Sequence, residues 1–243
     1  MSGFTPAEAF ELFVDAYSRL ECAVLPGSRL GEVGGLPALF FAGLEGGPSC
    51  EVFACGQTPG EVIWRMSGAA PGPGCWLTCF TADPQADLAE YRAAGYRHRE
   101  SETVRGRDLT AMGDFPLDPR VERVCRAEAL AEMNALRGYQ VFHPAQLDDP
   151  HTRIFRLEEN GRTAAWGTVL LARPGEAYFA NMYTLPECRR KGYARIILSA
   201  LLTEAASMGA RRGMLISTAA GLALYRAAGF ERIIDCLVLD PPG

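Results

Sequence analysis

Arg189-Arg190-Lys191-Gly192-Tyr193-Ala194 puts two arginines, a lysine and a glycine at the mouth of an amphipathic run, Ala194 to Met208, that reads as a helix. The first amides of a helix have no partner within it, and its dipole draws an anion towards them. Gly192 lets the backbone take a positive φ and come close to a phosphate. Successive N–H groups there form an anion nest, and the basic side chains add phosphate pairing. The chemistry that fits is the holding of a pyrophosphate. A P-loop does not fit, because the sequence has no G-x-x-x-x-G-K-[ST] and Lys191 precedes its glycine. Without a ligand, the same residues would be a solvated basic turn.

The elements that position this turn follow from periodicity. Ala177 to Thr184 is an apolar run that reads as a strand, and Pro186 stands between it and the basic cluster. The following helix buries Ile197, Leu198, Leu201, Leu202 and Ala205 and ends at Gly209. Strands are then expected at Met214–Ser217 and Ile233–Leu239, with a helix at Ala219–Ala228 between them. Upstream, Asn160-Gly161 is a hairpin signal joining Arg153–Leu157 to Thr163–Leu171. A helix is expected over Arg126–Arg137 and a short strand over Arg120–Val124. Residues 139 to 152 read as irregular, with His143 and His151 as loop histidines. In the first half, helices are expected at Pro6–Glu21, Pro59–Met66 and Pro84–Ala94, and strands at Leu36–Ala42, Cys50–Cys55, Cys75–Phe80 and Arg97–Leu109. Gly113 to Pro119 carries two prolines and no periodicity, so the domain boundary is placed between residues 113 and 114. Alternating helices and strands make the fold class α/β with a mixed sheet. Trp64, Trp76 and Trp166 are expected in the core.

The totals narrow the function. The chain has 243 residues, is 48 % apolar and 22 % charged, and carries a net charge of −5. An acidic balance argues against a nucleic-acid or anionic-membrane partner, and makes the basic cluster a local feature. None of the eight cysteines lies in a CxxC pair, so no metal site is expected. No apolar run has the ~20 residues needed to span a bilayer, and the N-terminal residues do not resemble a signal peptide. The expected setting is a reducing cytoplasm without disulfides.

Leu88-Ala89-Glu90-Tyr91-Arg92-Ala93-Ala94-Gly95-Tyr96 matches Leu222-Ala223-Leu224-Tyr225-Arg226-Ala227-Ala228-Gly229-Phe230 at seven of nine positions, at an offset of 134 residues. Two copies of one fold are the economical reading. At that offset the basic turn would fall on Glu51–Gly60, which holds no arginine or lysine. Only the second copy is expected to bind the ligand.

Arg189-x-x-Gly192-x-Ala194 and Leu224-Tyr225-x-x-x-Gly229-Phe230 together resemble the GNAT superfamily of acyl-CoA-dependent N-acyltransferases, over about residues 114 to 240. The resemblance implies two GNAT-like domains, each with a mixed, mostly antiparallel sheet flanked by helices. Residues 1–113 would be the degenerate one and 114–243 the complete acetyltransferase. It implies coenzyme A pyrophosphate on Arg189, Arg190, Lys191, Gly192, Tyr193 and Ala194. It implies the pantetheine arm on Met182, Tyr183 and Thr184, with Thr218 near it. Tyr225 would be the general acid that protonates the departing thiolate. A backbone N–H near Tyr183 would stabilise the oxyanion. The carboxylate base frequent in the family is missing from Ala180-Asn181-Met182, so no base is assigned, and Asn181 is the candidate water relay. Acetyl-CoA is then the cosubstrate and an amine the acceptor, in a monomer or homodimer, and the negative net charge suits a cationic amine. A non-catalytic acyl-CoA-binding or sensing module is the alternative.

Overall fold

The computed structural model describes residues 3–44, 46–69, 74–110 and 118–242. In chain order the first elements are α1 (Pro6–Val24), β1 (Arg29–Val33), β2 (Leu36–Phe40), β3 (Cys50–Cys55), α2 (Pro59–Ala69), β4 (Cys75–Thr81), α3 (Pro84–Ala93) and β5 (Arg97–Asp108). There follow β6 (Val121–Arg123), α4 (Ala127–Arg137), α5 (Ala145–Asp148), β7 (Thr152–Glu159), β8 (Arg162–Arg173) and β9 (Glu176–Thr184). The last are α6 (Tyr193–Ser207), β10 (Arg212–Ser217), α7 (Leu222–Ala227) and β11 (Glu231–Asp240). β1 and α5 had no clear sequence signal. β1 is only five residues long and mostly exposed, and α5 is a single turn.

Contacts divide the chain into two compact units. One takes in Phe4–Arg105, Ser217–Ala220 and Arg232–Gly243 and is called the N-terminal unit here. The other takes in Met1–Gly3, Gly106–Ile216 and Gly221–Glu231. The boundary expected near residue 113 falls beside residues 111–117, which lie outside the described residues. Most of β11, expected with residues 114–243, groups instead with the N-terminal unit. It pairs antiparallel with β4, from Asp235↔Thr81 to Leu239↔Leu77, and sends Leu237 and Leu239 into that unit's core.

In the N-terminal unit the strand order is β1-β2-β3-β4-β11-β5. β3 and β4 run parallel, while β1–β2, β2–β3 and β4–β11 are antiparallel. Strand alternation gives the sheet two apolar faces. Val52, Leu77 and Leu237 meet Val62 and Met66 of α2 and Tyr91 of α3. On α1, Phe13 and Phe10 set their rings edge-on to Phe53 and Phe80, at 5.5 and 5.3 Å.

Two expectations are corrected in this unit. Cys50 and Cys75 form a disulfide, with Cα atoms 4.6 Å apart. They face each other across the β3–β4 pair, a proximity that a separation of 25 residues in sequence did not reveal. Trp64 is 75 % exposed, because α2 turns Val62 and Met66 inward and leaves it on the outer face. Trp76 is half-buried under the Arg99 guanidinium, and only Trp166 is fully in a core.

In the second unit the order is β10-β9-β8-β7-β6, with β10 parallel to β9 and the rest antiparallel. The β7–β8 turn takes the positive φ values of a type I′ hairpin, +55° at Asn160 and +73° at Gly161. One face packs on α6 through Ile197, Leu201 and Ala205. The other packs on α4 through Leu130 and Met133 against Ile154 and Trp166. Among the described residues no helix is long and apolar enough to cross a membrane.

Candidate active site

β9 and β10 pair only from Glu176↔Arg212 to Phe179↔Leu215. β9 continues to Thr184, so residues 180–184 have no β10 partner. The departure begins beside Asn181, whose φ is +54°. There the register slips: Trp166 faces Tyr183, but Thr168 faces Ala180. One extra residue on β9 makes a bulge that bends the strand. Gly167 stands opposite, and a Cβ on it would lie 2.6 Å from Met182 Sδ and 2.7 Å from Leu201 Cδ1. Met182 thus uses space that only glycine leaves, on the α6 side. Tyr183 points the other way and packs on Trp166 with ring centroids 4.9 Å apart.

After Leu185 the chain makes a 3-10 turn, Pro186–Cys188, and enters the basic loop. Arg190 and Gly192 are both left-handed, at φ +65° and +83°. No side chain caps α6, whose first amides are free for a ligand. A Cβ on Gly192 would meet nothing within 4 Å. The three cations differ. Lys191 Nζ pairs with Glu159 Oε2 at 2.9 Å, and the Tyr193 hydroxyl donates to the same carboxylate. These bonds hold Glu159 below the usual carboxylate range and raise Lys191 and Tyr193. Arg189 Nε donates to the Thr184 carbonyl at 3.3 Å. Arg190 is exposed and has no partner among the described residues. Ala194, half-buried, follows in the first turn.

Tyr225 lies on α7, 7 % exposed. Its ring fills the space over Gly221, where a Cβ would be 2.6 Å from Cε2, and stands edge-on to Phe230 at 6.1 Å. The phenol makes no hydrogen bond among the described residues. Burial pushes it up to about 12, so it keeps its proton at neutral pH. Thr218 is exposed and belongs to the short Ser217–Ala220 piece grouped with the N-terminal unit. Its carbonyl accepts from Ser217 Oγ at 3.0 Å. His143 Nδ1 accepts from the Ala145 N–H at 3.2 Å, a turn contact. Among the described residues no group of three His, Cys, Asp or Glu side chains could hold a metal ion.

A cavity of about 410 Å³ lies between α6 and α7, walled by Leu198, Leu202 and Leu224 and edged by Arg107 and Arg195. Arg195 is three residues beyond Gly192 and was legible as a further cation on the same helix start. Arg107 comes from β5, and nothing local in the sequence links it to the site.

Residues 122–230 match the model of the acetyltransferase (GNAT) family. This part of the chain belongs to the GNAT family. The bulged end of β9, the basic loop, α6 and Tyr225 all fall within the matched GNAT range. The GCN5-related N-acetyltransferase from Kribbella flavida shares the fold, with a TM-score of 0.65 at 17 % identity over 95 % of this chain and 96 % of that one. A tandem GNAT protein from the clavulanic acid biosynthesis pathway gives 0.59 at 16 %, over 93 % and 86 %. The GCN5-related N-acetyltransferase from Sphaerobacter thermophilus gives 0.58 at 14 %, over 99 % and 95 %. At these identities the likeness is one of fold, and chemistry must be argued from the site. Comparison with curated proteins gives no match.

Proposed function

We propose that this GNAT protein is an acyl-CoA-dependent N-acyltransferase that moves an acetyl group from acetyl-CoA to a primary amine. The single observation that carries the reading is continuous along the chain. A strand end without a neighbour, residues 180–184, runs straight into an uncapped helix start with left-handed Arg190 and Gly192. Free strand amides suit the pantetheine amides, and the helix start suits the pyrophosphate. Arg190 is the cation available to it, while Lys191 and Arg189 hold the loop in shape. Arg107 and Arg195 suit the phosphorylated nucleotide end of the same molecule.

In the reaction the neutral amine attacks the thioester carbonyl. Charge gathers on the carbonyl oxygen, where a backbone N–H near Tyr183 would donate. The carbon–sulfur bond breaks, and the Tyr225 phenol gives its proton to the departing thiolate. A phenol without a protein partner is free to make that contact. The proton released by the amine leaves through water, for which Asn181 at the bulge is the candidate relay. Thr218 remains a proposed contact for the pantetheine arm. We read residues 1–113 as a degenerate GNAT-like copy and 114–243 as the complete one.

The test is release of free coenzyme A thiol across a panel of amines, with acetyl-CoA binding followed by calorimetry. Binding with transfer is the expected result. Binding without transfer to any amine would favour an acyl-CoA-sensing module, a reading supported by the lack of a carboxylate at Ala180–Met182. No binding would sink both.

A further inference from the structure

Arg137 is the last residue of α4. Gly138, left-handed at φ +84°, turns the chain back so that Tyr139 folds beside it. The Arg137 guanidinium carbon lies 4.5 Å from the Tyr139 ring centroid and 4.5 Å from that of Tyr183. Tyr183 in turn stacks on Trp166. The loop is pinned by Asn134, whose Nδ2 donates to the Phe142 carbonyl at 2.8 Å. Its Oδ1 accepts from the N–H groups of Val141 and Phe142, both at 2.9 Å. The guanidinium is therefore held on two ring faces by an ordered loop.

Its N–H groups make no hydrogen bond or ion pair among the described residues. Four other arginines of this unit are paired. Arg156 meets Glu122, Glu132 and Glu158; Arg153 meets Glu204; Arg212 meets Glu176; Arg120 meets Asp118. These four meet carboxylates, and Arg137 meets none among the described residues. A guanidinium that lies against two rings and whose donors are unused can meet a planar anion edge-on. Tyr139 is 56 % exposed and Leu136 42 %, so the approach is open. The place also matters. Tyr183 belongs to the free end of β9 and faces α4, while Met182 faces α6. An anion on Arg137 would lie on the face of β9 opposite the helix whose N-terminus is proposed to hold the pyrophosphate.

We infer that Arg137 binds a carboxylate of the acceptor, so that the amine acetylated is a small carboxylate-bearing amine of the amino-acid type. The inference rests on the acetyltransfer reading. A carboxylate is preferred because its two oxygens match the guanidinium fork.

The experiment measures kcat/KM for thiol release with amino acids and with their carboxamides and decarboxylated amines, in wild type, Arg137→Gln and Arg137→Lys. Wild type is expected to favour the carboxylates by about 10- to 100-fold, the range for losing a charge-assisted hydrogen bond. Arg137→Gln should abolish that preference, with most of the loss in KM. It should leave the carboxamide rates and the acetyl-CoA affinity unchanged. Arg137→Lys, with charge but no fork, should keep part of it, which separates recognition from damage to the fold. Equal rates for carboxylate and carboxamide in wild type overturn the inference and leave acetyltransfer standing. So does an equal loss for both in Arg137→Gln. Preference for amines bearing a phosphate group instead overturns the carboxylate assignment. Acetyl-CoA binding with no acetylation of any amine removes the acetyltransfer reading, and this inference with it.

Discussion

Helices α2 and α6 begin 134 residues apart, at Pro59 and Tyr193, the same offset as the repeated nine-residue motif. Their starts are opposite in character. At α2 the protein satisfies itself: Thr58 Oγ1 accepts from the Glu61 N–H at 3.3 Å, and Glu61 puts a negative charge in the first turn. At α6 no side chain caps the amides and no acid stands in the first turn. Gly56, left-handed at +85°, stands at the same offset of 134 from left-handed Arg190. Two residues further on the backbones differ: Gly192 is left-handed, and Thr58, 134 residues earlier, is not. An uncapped helix start with a cation beside it is the arrangement that suits an anion.

Tyr91 and Tyr225 repeat the contrast. Both helices close alike, with Tyr96 N–H donating to the Tyr91 carbonyl at 3.0 Å and Phe230 N–H to the Tyr225 carbonyl at 2.9 Å. Gly95 and Gly229 carry the positive φ that this ending needs, +88° and +77°. Yet the Tyr91 hydroxyl is engaged by Cys79 Sγ at 3.1 Å, while that of Tyr225 has no described partner. At the offset of 134, Cys79 corresponds to Gly213, and a Cβ there would already lie 2.5 Å from the Phe179 ring. The first hydroxyl is tied into its core, and the second has no partner among the described residues.

Exchanging these features should break the contrast. Tyr225→Phe is expected to lower kcat for acetyl transfer about 100-fold, with little change in thermal unfolding, since no hydrogen bond is lost. A rate within a factor of two of wild type would remove the acid role. Because burial raises this phenol to about 12, kcat should show no fall from its deprotonation between pH 7 and 9. Any stability owed to either buried tyrosine is whole below the unfolded value near ~10 and is lost as pH rises through the higher folded value.

Arg190→Gly keeps the left-handed backbone and removes the free cation. Calorimetry should show acetyl-CoA binding weakened about tenfold, with thermal stability no lower than wild type. Unchanged affinity would mean that the amides act alone. The mirror change, Gly56→Arg, should not alter affinity.

Smaller effects belong to the N-terminal unit. Tyr91→Phe should destabilise by about 1 kcal/mol through the lost Cys79 contact, seen in denaturant unfolding, without changing kcat. Thr58→Ala should destabilise by a similar or smaller amount, about 0.5–1 kcal/mol, as loss of a helix cap. A fall in kcat with either would mean that the N-terminal unit takes part in the chemistry.

Much of this was legible before any coordinates. Local rules set the capped helices, the Asn160-Gly161 hairpin, the basic glycine turn and the repeat, because each depends on residues within one turn or one strand of each other. The wrong placement of Trp64 and the unforeseen Cys50–Cys75 bond have one cause. Which face of α2 turns inward, and which residues of β3 and β4 meet, is decided by strand neighbours distant in sequence. The same holds for the site. The sequence by itself determined that a basic, glycine-containing turn stands before a predicted helix, and that the Leu224–Phe230 tyrosine motif follows it. Only the tertiary structure decided which cation is free, since Glu159 reaches Lys191 from another hairpin. It also decided that β9 leaves β10 at a bulge beside Asn181, and that Arg137 lies against two tyrosines with no carboxylate partner among the described residues. Pairing register and packing bring those residues together, and neither is written in local sequence.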